Sequence, residues 1–206
     1  MAPKRVALPT GSVPIVLSGA GIALILGMML GAAMATLPDA RAQPETPSEY
    51  QVKAVFLYNF AKFVEWPQDP SEATNSPLVI GIIGDDPFGG ALEQTVRGKS
   101  VRGHALVIRH FSKPEDARAS QIVFISSSER SRLRSVLDSL KGASVLTVGD
   151  MEGFAHLGGV INFILEDNYV HFEINVEVAE RAGLKLSSKL LSLAKIVRSD
   201  GSTRKG

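Results

Sequence analysis

The chain contains four short apolar runs, rich in β-branched residues, that alternate with segments of helical or turn character. These runs are residues 78–83, 105–110, 121–125 and 143–148. Short apolar runs bounded by turn residues are typical of buried strands. Strands that are almost continuously apolar need helices on both faces of their sheet. The pattern therefore predicts an α/β protein, a single-domain three-layer α/β/α sandwich with a mostly parallel sheet.

The remaining elements complete this prediction. Segments 159–165 and 169–174 alternate in polarity and are joined by three polar residues, which predicts a C-terminal antiparallel hairpin. Asn175 and Ser187 are expected to cap two short helices, the second with an apolar face that extends to Val197. Between the third and fourth runs, Ser126 and Glu129 have the spacing of a capping box, which predicts a helix that starts there and ends at Gly142.

The first helix of the domain is expected between Ser48, its N-cap, and Pro67, and its sequence includes QVKAVFLYNFAKFVEWP (residues 51–67). A helical wheel places seven residues on one apolar face: Val52, Val55, Phe56, Asn59, Phe60, Phe63 and Trp66. An amide buried without a partner costs about 1–3 kcal/mol, so packing does not explain Asn59. Asn59, Lys62 and Trp66 are therefore candidates for binding a partner or ligand.

The N-terminal residues indicate export. Residues 1–42 have basic residues first, then an uncharged apolar run, then Ala-Arg-Ala before Gln43, which predicts a secretory signal peptide. The run also reaches the ~20 residues that span a bilayer, so an uncleaved anchor is the alternative. Residues 43–197 form the expected domain and 198–206 a flexible basic tail. Without residues 1–42 the chain has 19 basic and 20 acidic residues, a balance that does not suit nucleic acid.

Loops that follow parallel strands are the first place to look for a ligand, because open α/β sheets bind ligands at the carboxyl ends of their strands. Asp85 and Asp86 follow the first run and are candidates for binding a partner or ligand, although the favoured interpretation is that they cap a helix beginning at Pro87. Phe88, next to them, is a candidate for ligand or partner contact. The glycine-rich segment 149–159, with Phe154 as a further candidate, is either a close approach to a ligand or a plain crossover.

No catalytic pattern accompanies these loops. The three serines at 126–128 lack a Gly-x-Ser-x-Gly or Ser-x-x-Lys context, so capping explains them better than nucleophilic catalysis. The four histidines form no metal-binding spacing, and the chain has no cysteine. The sequence therefore predicts a protein that is not an enzyme and has no metal or cofactor.

Four motifs together resemble the YfiR family of periplasmic regulatory proteins. They are YNFAKFVEWP (residues 58–67), Gly153-Phe154 with Gly158-Gly159, FEIN (residues 172–175) and SSKLLSLA (residues 187–194). The resemblance covers residues 48–197 and implies a periplasmic α/β sandwich that binds the periplasmic domain of an inner-membrane diguanylate cyclase and represses it. Cyclic di-GMP signalling and biofilm formation would then fall.

The resemblance also implies release by an outer-membrane lipoprotein, and often a homodimer. Because the chain has no cysteine, the disulfide chemistry of the best-known family member does not carry over. The glycine-rich loops favour an alternative from another class, a periplasmic small-molecule sensor or binding protein.

Overall fold

The computed structural model describes residues 47–67 and 76–199. The expected signal peptide and residues 200–206 of the expected tail lie outside the described residues. In chain order the elements are α1 (Glu49–Phe63), β1 (Val64–Glu65), β2 (Leu78–Ile83), α2 (Ala91–Val96), β3 (Ser100–Val101), β4 (His104–Phe111), a 3₁₀ helix (Pro114–Ala119), β5 (Ile122–Ile125), a second 3₁₀ helix (Ser127–Arg132), α3 (Leu133–Leu140), β6 (Leu146–Gly149), β7 (Ile161–Glu166), β8 (Tyr169–Asn175), α4 (Val176–Arg181), β9 (Lys185–Leu186), α5 (Ser188–Leu191) and β10 (Lys195–Val197).

Eight strands form the main sheet in the order β10-β8-β7-β6-β5-β2-β4-β3. Strands β4, β2, β5, β6 and β7 are parallel to their neighbours in this series, whereas β7 and β8 form the predicted antiparallel hairpin. Strands β1 and β9 pair separately as a short antiparallel ribbon. The predicted mostly parallel sheet with a C-terminal hairpin is confirmed.

Side chains of the central strands alternate between two cores. Ile122 and Phe124 of β5 pack into one core together with α1, α2, α4 and α5. Val123 and Ile125 of the same strand pack into the other core, against α3. The period of two in a β-strand produces this division, because successive side chains point to opposite faces. The sheet is therefore the middle layer of three, as predicted.

The helix predicted to start at Ser126 begins later. The Ser126 side chain accepts a hydrogen bond from the Ser128 amide, but its own backbone amide donates to the Ile83 carbonyl at 3.0 Å. That amide is therefore not available to Glu129, whose carboxylate instead pairs with Arg132. The capping box does not form, and a 3₁₀ helix precedes α3.

The predicted caps Ser48, Asn175 and Ser187 are confirmed, since each side chain accepts a backbone amide of the first turn that follows. The last helix is shorter than predicted. It ends at Leu191, and residues 195–197 form the edge strand β10, parallel to β8, with Val197 opposite Asn175. The apolar spacing that predicted a longer helix also fits a short strand, and pairing with β8 decides between them.

Candidate functional site

Helix α1 buries a different face from the one predicted. Its buried residues are Lys53, Ala54, Leu57, Phe60 and Ala61, whereas Val55 is 48% exposed. The buried face is rotated by about a third of a turn from the predicted one. Asn59 lies on the outer side, half-buried, between Val55 and Lys62 on the helix surface. Asn59 is therefore not in the core face, and the helix has no buried amide at this position that packing must explain.

Two aromatic residues of α1 still dock it on the sheet, as the sequence predicts. The ring of Phe60 is fully buried and stacks on Phe163 at a centroid distance of 5.7 Å. Phe56 and Phe60 both meet Phe172 edge to face at 5.3 Å. Offset and edge-to-face arrangements of this kind add to the stabilisation from area burial alone. This cluster fixes α1 against the β7-β8 hairpin.

The first turns of α1 meet the carboxyl end of β6 through three polar side chains. The ammonium of Lys53 lies 2.8 Å from Asp150 Oδ2, and the hydroxyl of Tyr50 donates to the same oxygen at 2.9 Å. Both charged side chains are about 95% buried, at 5% and 4% exposure. Glu49, one turn earlier, also pairs with Lys53 at 2.5 Å. A buried charge needs a partner of this kind, because its desolvation is costly.

This arrangement holds charges in place and offers no reactive group. The Lys53 amine is shared between two carboxylates and lies 4.4 Å from the centre of the Tyr50 ring. Burial, and then the hydrogen bond and negative charge of Asp150, raise the pKa of Tyr50 above its usual range, which keeps the hydroxyl protonated. The cluster therefore acts as a clamp that joins α1 to β6.

The sequence prediction missed this clamp. The predicted apolar face of α1 did not include Lys53, and Asp150 was treated only as part of a glycine-rich loop. A usable signal exists: Lys53 has the spacing i, i+3, i+4, i+7 with Phe56, Leu57 and Phe60, which places a cation within an apolar stripe. A carboxylate directly after a buried strand is the natural partner for such a cation.

The predicted acidic loop after β2 is held by its own contacts. Asp86 accepts from the Phe88 amide at 2.8 Å through Oδ1 and pairs with His110 Nε2 at 2.9 Å through Oδ2. Asp85 is exposed, and its backbone amide donates to Ser128 Oγ at 2.9 Å. Helix α2 begins at Ala91 rather than at Pro87, since Asp86 closes a turn first and Gly90 takes the N-cap position at φ 91°. Asp86 therefore caps a turn and not a helix.

Phe88 and Phe154, both predicted as contact residues, lie in the two cores. Phe88 is 4% exposed and meets Phe124 edge to face at 4.9 Å. Phe154 is fully buried between two glycines, and a Cβ atom would lie 2.6 Å from its ring at Gly149 and 2.0 Å at Gly159. These glycines make room for the protein's own Phe154, which favours the crossover interpretation of the loop. Binding roles for both phenylalanines stay predictions.

Trp66, which follows β1 and was a candidate together with Asn59 and Lys62, is also mostly buried, at 8% exposure. Its indole nitrogen donates to the Gln121 carbonyl at 3.0 Å. This bond ties the segment after β1 to the start of β5. Trp66 is therefore fixed by the fold, and any contact with a partner would be limited to its small exposed edge.

Lys62, the remaining candidate, belongs to an exposed group of cations and aromatic rings on the outer face of α1. Lys62 lies over the rings of Tyr58 and Phe63, at 5.4 and 5.9 Å from their centres. Lys99, after α2, lies 4.6 Å from the Tyr58 centre, and Lys189 of α5 lies 5.3 Å from that of Phe63. We call these five residues the cationic surface. Three separate elements therefore bring lysines to one side of α1.

The three ammonium groups of the cationic surface are available to a partner. Lys62, Lys99 and Lys189 are exposed, and none forms an ion pair with a residue in the described part of the chain. The nearby side chain of Asn59 makes no hydrogen bond to any described residue. The surface is thus positive and partly aromatic, and no acidic residue of ranges 47–67 and 76–199 is paired with its lysines.

Other kinds of site are not found in the part of the chain that the structure describes. Across residues 47–67 and 76–199, no three His, Asp or Glu side chains are grouped so that they could hold a metal ion. No helix within those residues is long and apolar enough to cross a membrane. The fold is an α/β sandwich, and the cationic surface gives one side of α1 a positive charge.

Comparison with known proteins places the chain in a family. The profile of the YfiR/HmsC-like family (DUF4154) matches residues 50–195, most of the chain. The protein belongs to this family, whose members are periplasmic regulatory proteins. The family resemblance identified from the four motifs is confirmed.

One solved structure shows a related fold. A conserved domain protein from Vibrio cholerae O1 biovar El Tor str. N16961 superposes with a TM-score of 0.50 at 12% identity over 72% of this chain and 60% of that one. This chain therefore spans about three-fifths of that protein's length. The ABC domain from Streptococcus pneumoniae in complex with L-Trp aligns with a TM-score of 0.43 at 9% identity over 58% of this chain and 55% of that one. At these identities the first likeness shows the fold alone.

Proposed function

We propose that the protein is a non-enzymatic periplasmic regulator that binds the periplasmic domain of an inner-membrane diguanylate cyclase and represses it. Repression lowers cyclic di-GMP and with it biofilm formation. Membership of the YfiR/HmsC-like family supports a regulatory role in the periplasm. Release by an outer-membrane lipoprotein and assembly into a homodimer belong to the same proposal.

The observation that carries this proposal is the cationic surface. Its lysines approach aromatic rings closely enough for cation–π attraction, which is worth about 0.5–1 kcal/mol at an exposed site. This attraction restricts the lysine side chains before a partner arrives, so less conformational entropy is lost on binding. Aromatic and positively charged groups together suit an acidic segment of a partner protein.

Repression itself is tested by deleting the gene and measuring intracellular cyclic di-GMP. The deletion strain is expected to contain more cyclic di-GMP and form more biofilm, and a wild-type copy restores both. An unchanged cyclic di-GMP level in the deletion strain contradicts the proposed function.

The docking surface is tested separately by reversing its charge. A variant with Lys62, Lys99 and Lys189 all changed to Glu is expected to leave cyclic di-GMP high when it replaces the wild-type copy. Because these side chains are exposed, the fold should persist, and circular dichroism checks this.

The matched control reverses three other exposed cations, Arg97, Lys113 and Arg130, which lie outside the cationic surface. This control is expected to repress like the wild type. If the Lys62/Lys99/Lys189 variant also represses like the wild type, the assigned surface is wrong, although repression by the protein would stand.

A further inference from the structure

A cavity lies between the end of α3 and the end of α4, lined by residues of both cores, and it shares no residue with the clamp or the cationic surface. It is lined by the end of α3, the segment around Leu157 and Gly158, and the end of α4; it is partly open to solvent, and its volume is about 220 Å³. Val145, just before β6, also lines it, so the cavity is near the amino ends of the parallel strands. The sequence directed attention to the opposite, carboxyl edge.

The wall of this cavity is mainly apolar. Leu137, Leu140, Val145, Val160 and Val178 contribute aliphatic side chains to it. A single water needs only about 10–15 Å³ of such volume, so the space is large enough for one small organic molecule. Pockets that bind small molecules have this composition, with few polar groups that fix the orientation of the ligand.

Three polar side chains of the cavity, those of Thr147, Arg181 and Lys141, can donate hydrogen bonds. Thr147 is 6% exposed, and its oxygen accepts from the Val160 amide at 3.0 Å, while its hydroxyl proton has no acceptor among the described residues. The Arg181 guanidinium is exposed and forms neither an ion pair nor a hydrogen bond with any residue of the described ranges. Lys141 also lines the cavity, 3.7 Å from Asp138, in an exposed pair.

The charged residues that line the cavity favour a ligand with a negative charge. Two cations, Lys141 and Arg181, line it together with one carboxylate, Asp138, which already has Lys141 beside it. Arg181 has no anionic partner among the described residues, and its planar fork of donors matches the two oxygens of a carboxylate. A cationic ligand would lose its hydration next to Arg181 without gaining a partner.

We propose that this cavity binds a small organic carboxylate with a short, branched apolar group. Arg181 holds the carboxylate at the rim, the aliphatic wall surrounds the apolar group, and the Thr147 hydroxyl donates to an oxygen of the ligand or of a water that it retains. This site does not depend on the proposed repression of a cyclase, since it shares no residue with the cationic surface.

The test is a titration of the ¹⁵N-labelled protein with 3-methylbutanoate, followed by ¹H–¹⁵N correlation spectra. Saturable shifts are expected at the amides of Thr147, Gly158 and Val160. The uncharged 3-methylbutanamide, which has the same shape without the charge, is expected to bind at least about tenfold more weakly, because the carboxylate is lost.

Two variants make the result specific. Arg181→Gln is expected to weaken binding of the carboxylate about tenfold, whereas Arg97→Gln, an exposed arginine away from the cavity, leaves it unchanged. Both positions are exposed, so the dispersion of the spectra should match that of the wild type. The proposal is overturned by any of three results: no saturable shift at the cavity, equal affinity for acid and amide, or equal affinity in the two variants.

Discussion

Replacing Lys53 by Met leaves a buried carboxylate without its cation. In the native protein Asp150 Oδ2 accepts from both Lys53 and Tyr50, and the Asp150 side chain is 4% exposed. In Lys53→Met the Tyr50 hydroxyl remains, but a neutral donor replaces little of the lost attraction. Removing one partner of a buried pair costs about 3–5 kcal/mol. This is a large share of the about 5–15 kcal/mol that stabilises a typical native domain.

Urea unfolding measures this loss directly. Trp66, the only tryptophan of the chain, is mostly buried, so its fluorescence reports global unfolding. The midpoint is expected to fall with little change in the slope of free energy against urea, because the surface exposed on unfolding is almost the same. Lys62→Met is the matched control, since Lys62 is on the same helix but exposed, and its effect should stay within about 0.5 kcal/mol.

A double-mutant cycle separates the interaction energy of the Lys53–Asp150 pair from the effect of each substitution on packing. Asp150→Asn keeps an acceptor for Tyr50 and removes the charge. The double variant Lys53→Met/Asp150→Asn is expected to be more stable than the sum of the single losses predicts, by about 1–3 kcal/mol. A loss below about 1 kcal/mol for Lys53→Met, or strict additivity in the cycle, would refute the conclusion that the clamp holds a desolvated charge pair.

The remaining predictions concern packing and alkaline stability. Phe60→Ala, which removes a fully buried ring, is expected to lower the free energy of unfolding by about 3–5 kcal/mol, whereas Val55→Ala on the exposed face changes it by less than about 0.5 kcal/mol, both measured in urea. Gly159→Ala brings a Cβ atom into the Phe154 ring and should cost about 1–3 kcal/mol, and adding Phe154→Leu should recover part of that loss unless backbone conformation is the cause. Because the pKa of Tyr50 is raised in the folded protein, the neutral hydroxyl contributes stability that is present below about pH 10 and is lost as pH rises further. Tyr50→Phe should reduce that alkaline loss in urea titrations at several pH values, and an identical pH dependence in the two proteins would contradict it.

Strand positions were predictable because they depend on local pattern. The runs that form β2, β5 and β6 are short, apolar and bounded by turn residues. A strand that is buried on both faces needs such a run, so the run can be recognised without knowledge of the rest of the fold. The caps Ser48, Asn175 and Ser187 were predictable for the same reason, since a cap acts within three residues.

The buried face of α1 was not predictable in this way. Apolar residues occupy much of the helix circumference, so the pattern alone favours no single face. The choice depends on Asp150, about 100 residues away in the chain, which neutralises Lys53 and allows that side of the helix to be buried. Without that contact, Lys53 would be expected at the surface, because lysine is rarely buried unless it is paired.

The candidate site was likewise predictable from the sequence only in part. Lys62 was identified from the sequence, but Lys99 and Lys189 join it only because α2 and α5 lie beside α1 in the fold. The cavity at Arg181 is near the amino ends of the strands, whereas the sequence directed attention to their carboxyl ends; of the favoured segment 149–159, Gly149 and Gly159 surround Phe154 and only the end, Leu157 and Gly158, lines the cavity.

The sequence alone determined the fold class, the positions of the main strands along the chain and the family, because these depend on periodicity, local caps and short motifs. Tertiary structure alone decided which side of α1 is buried, how three lysines come to share one surface, and where a cavity remains. Each of these results depends on residues far apart in the chain, and the free energy of a charge or of a packed ring depends on those distant neighbours.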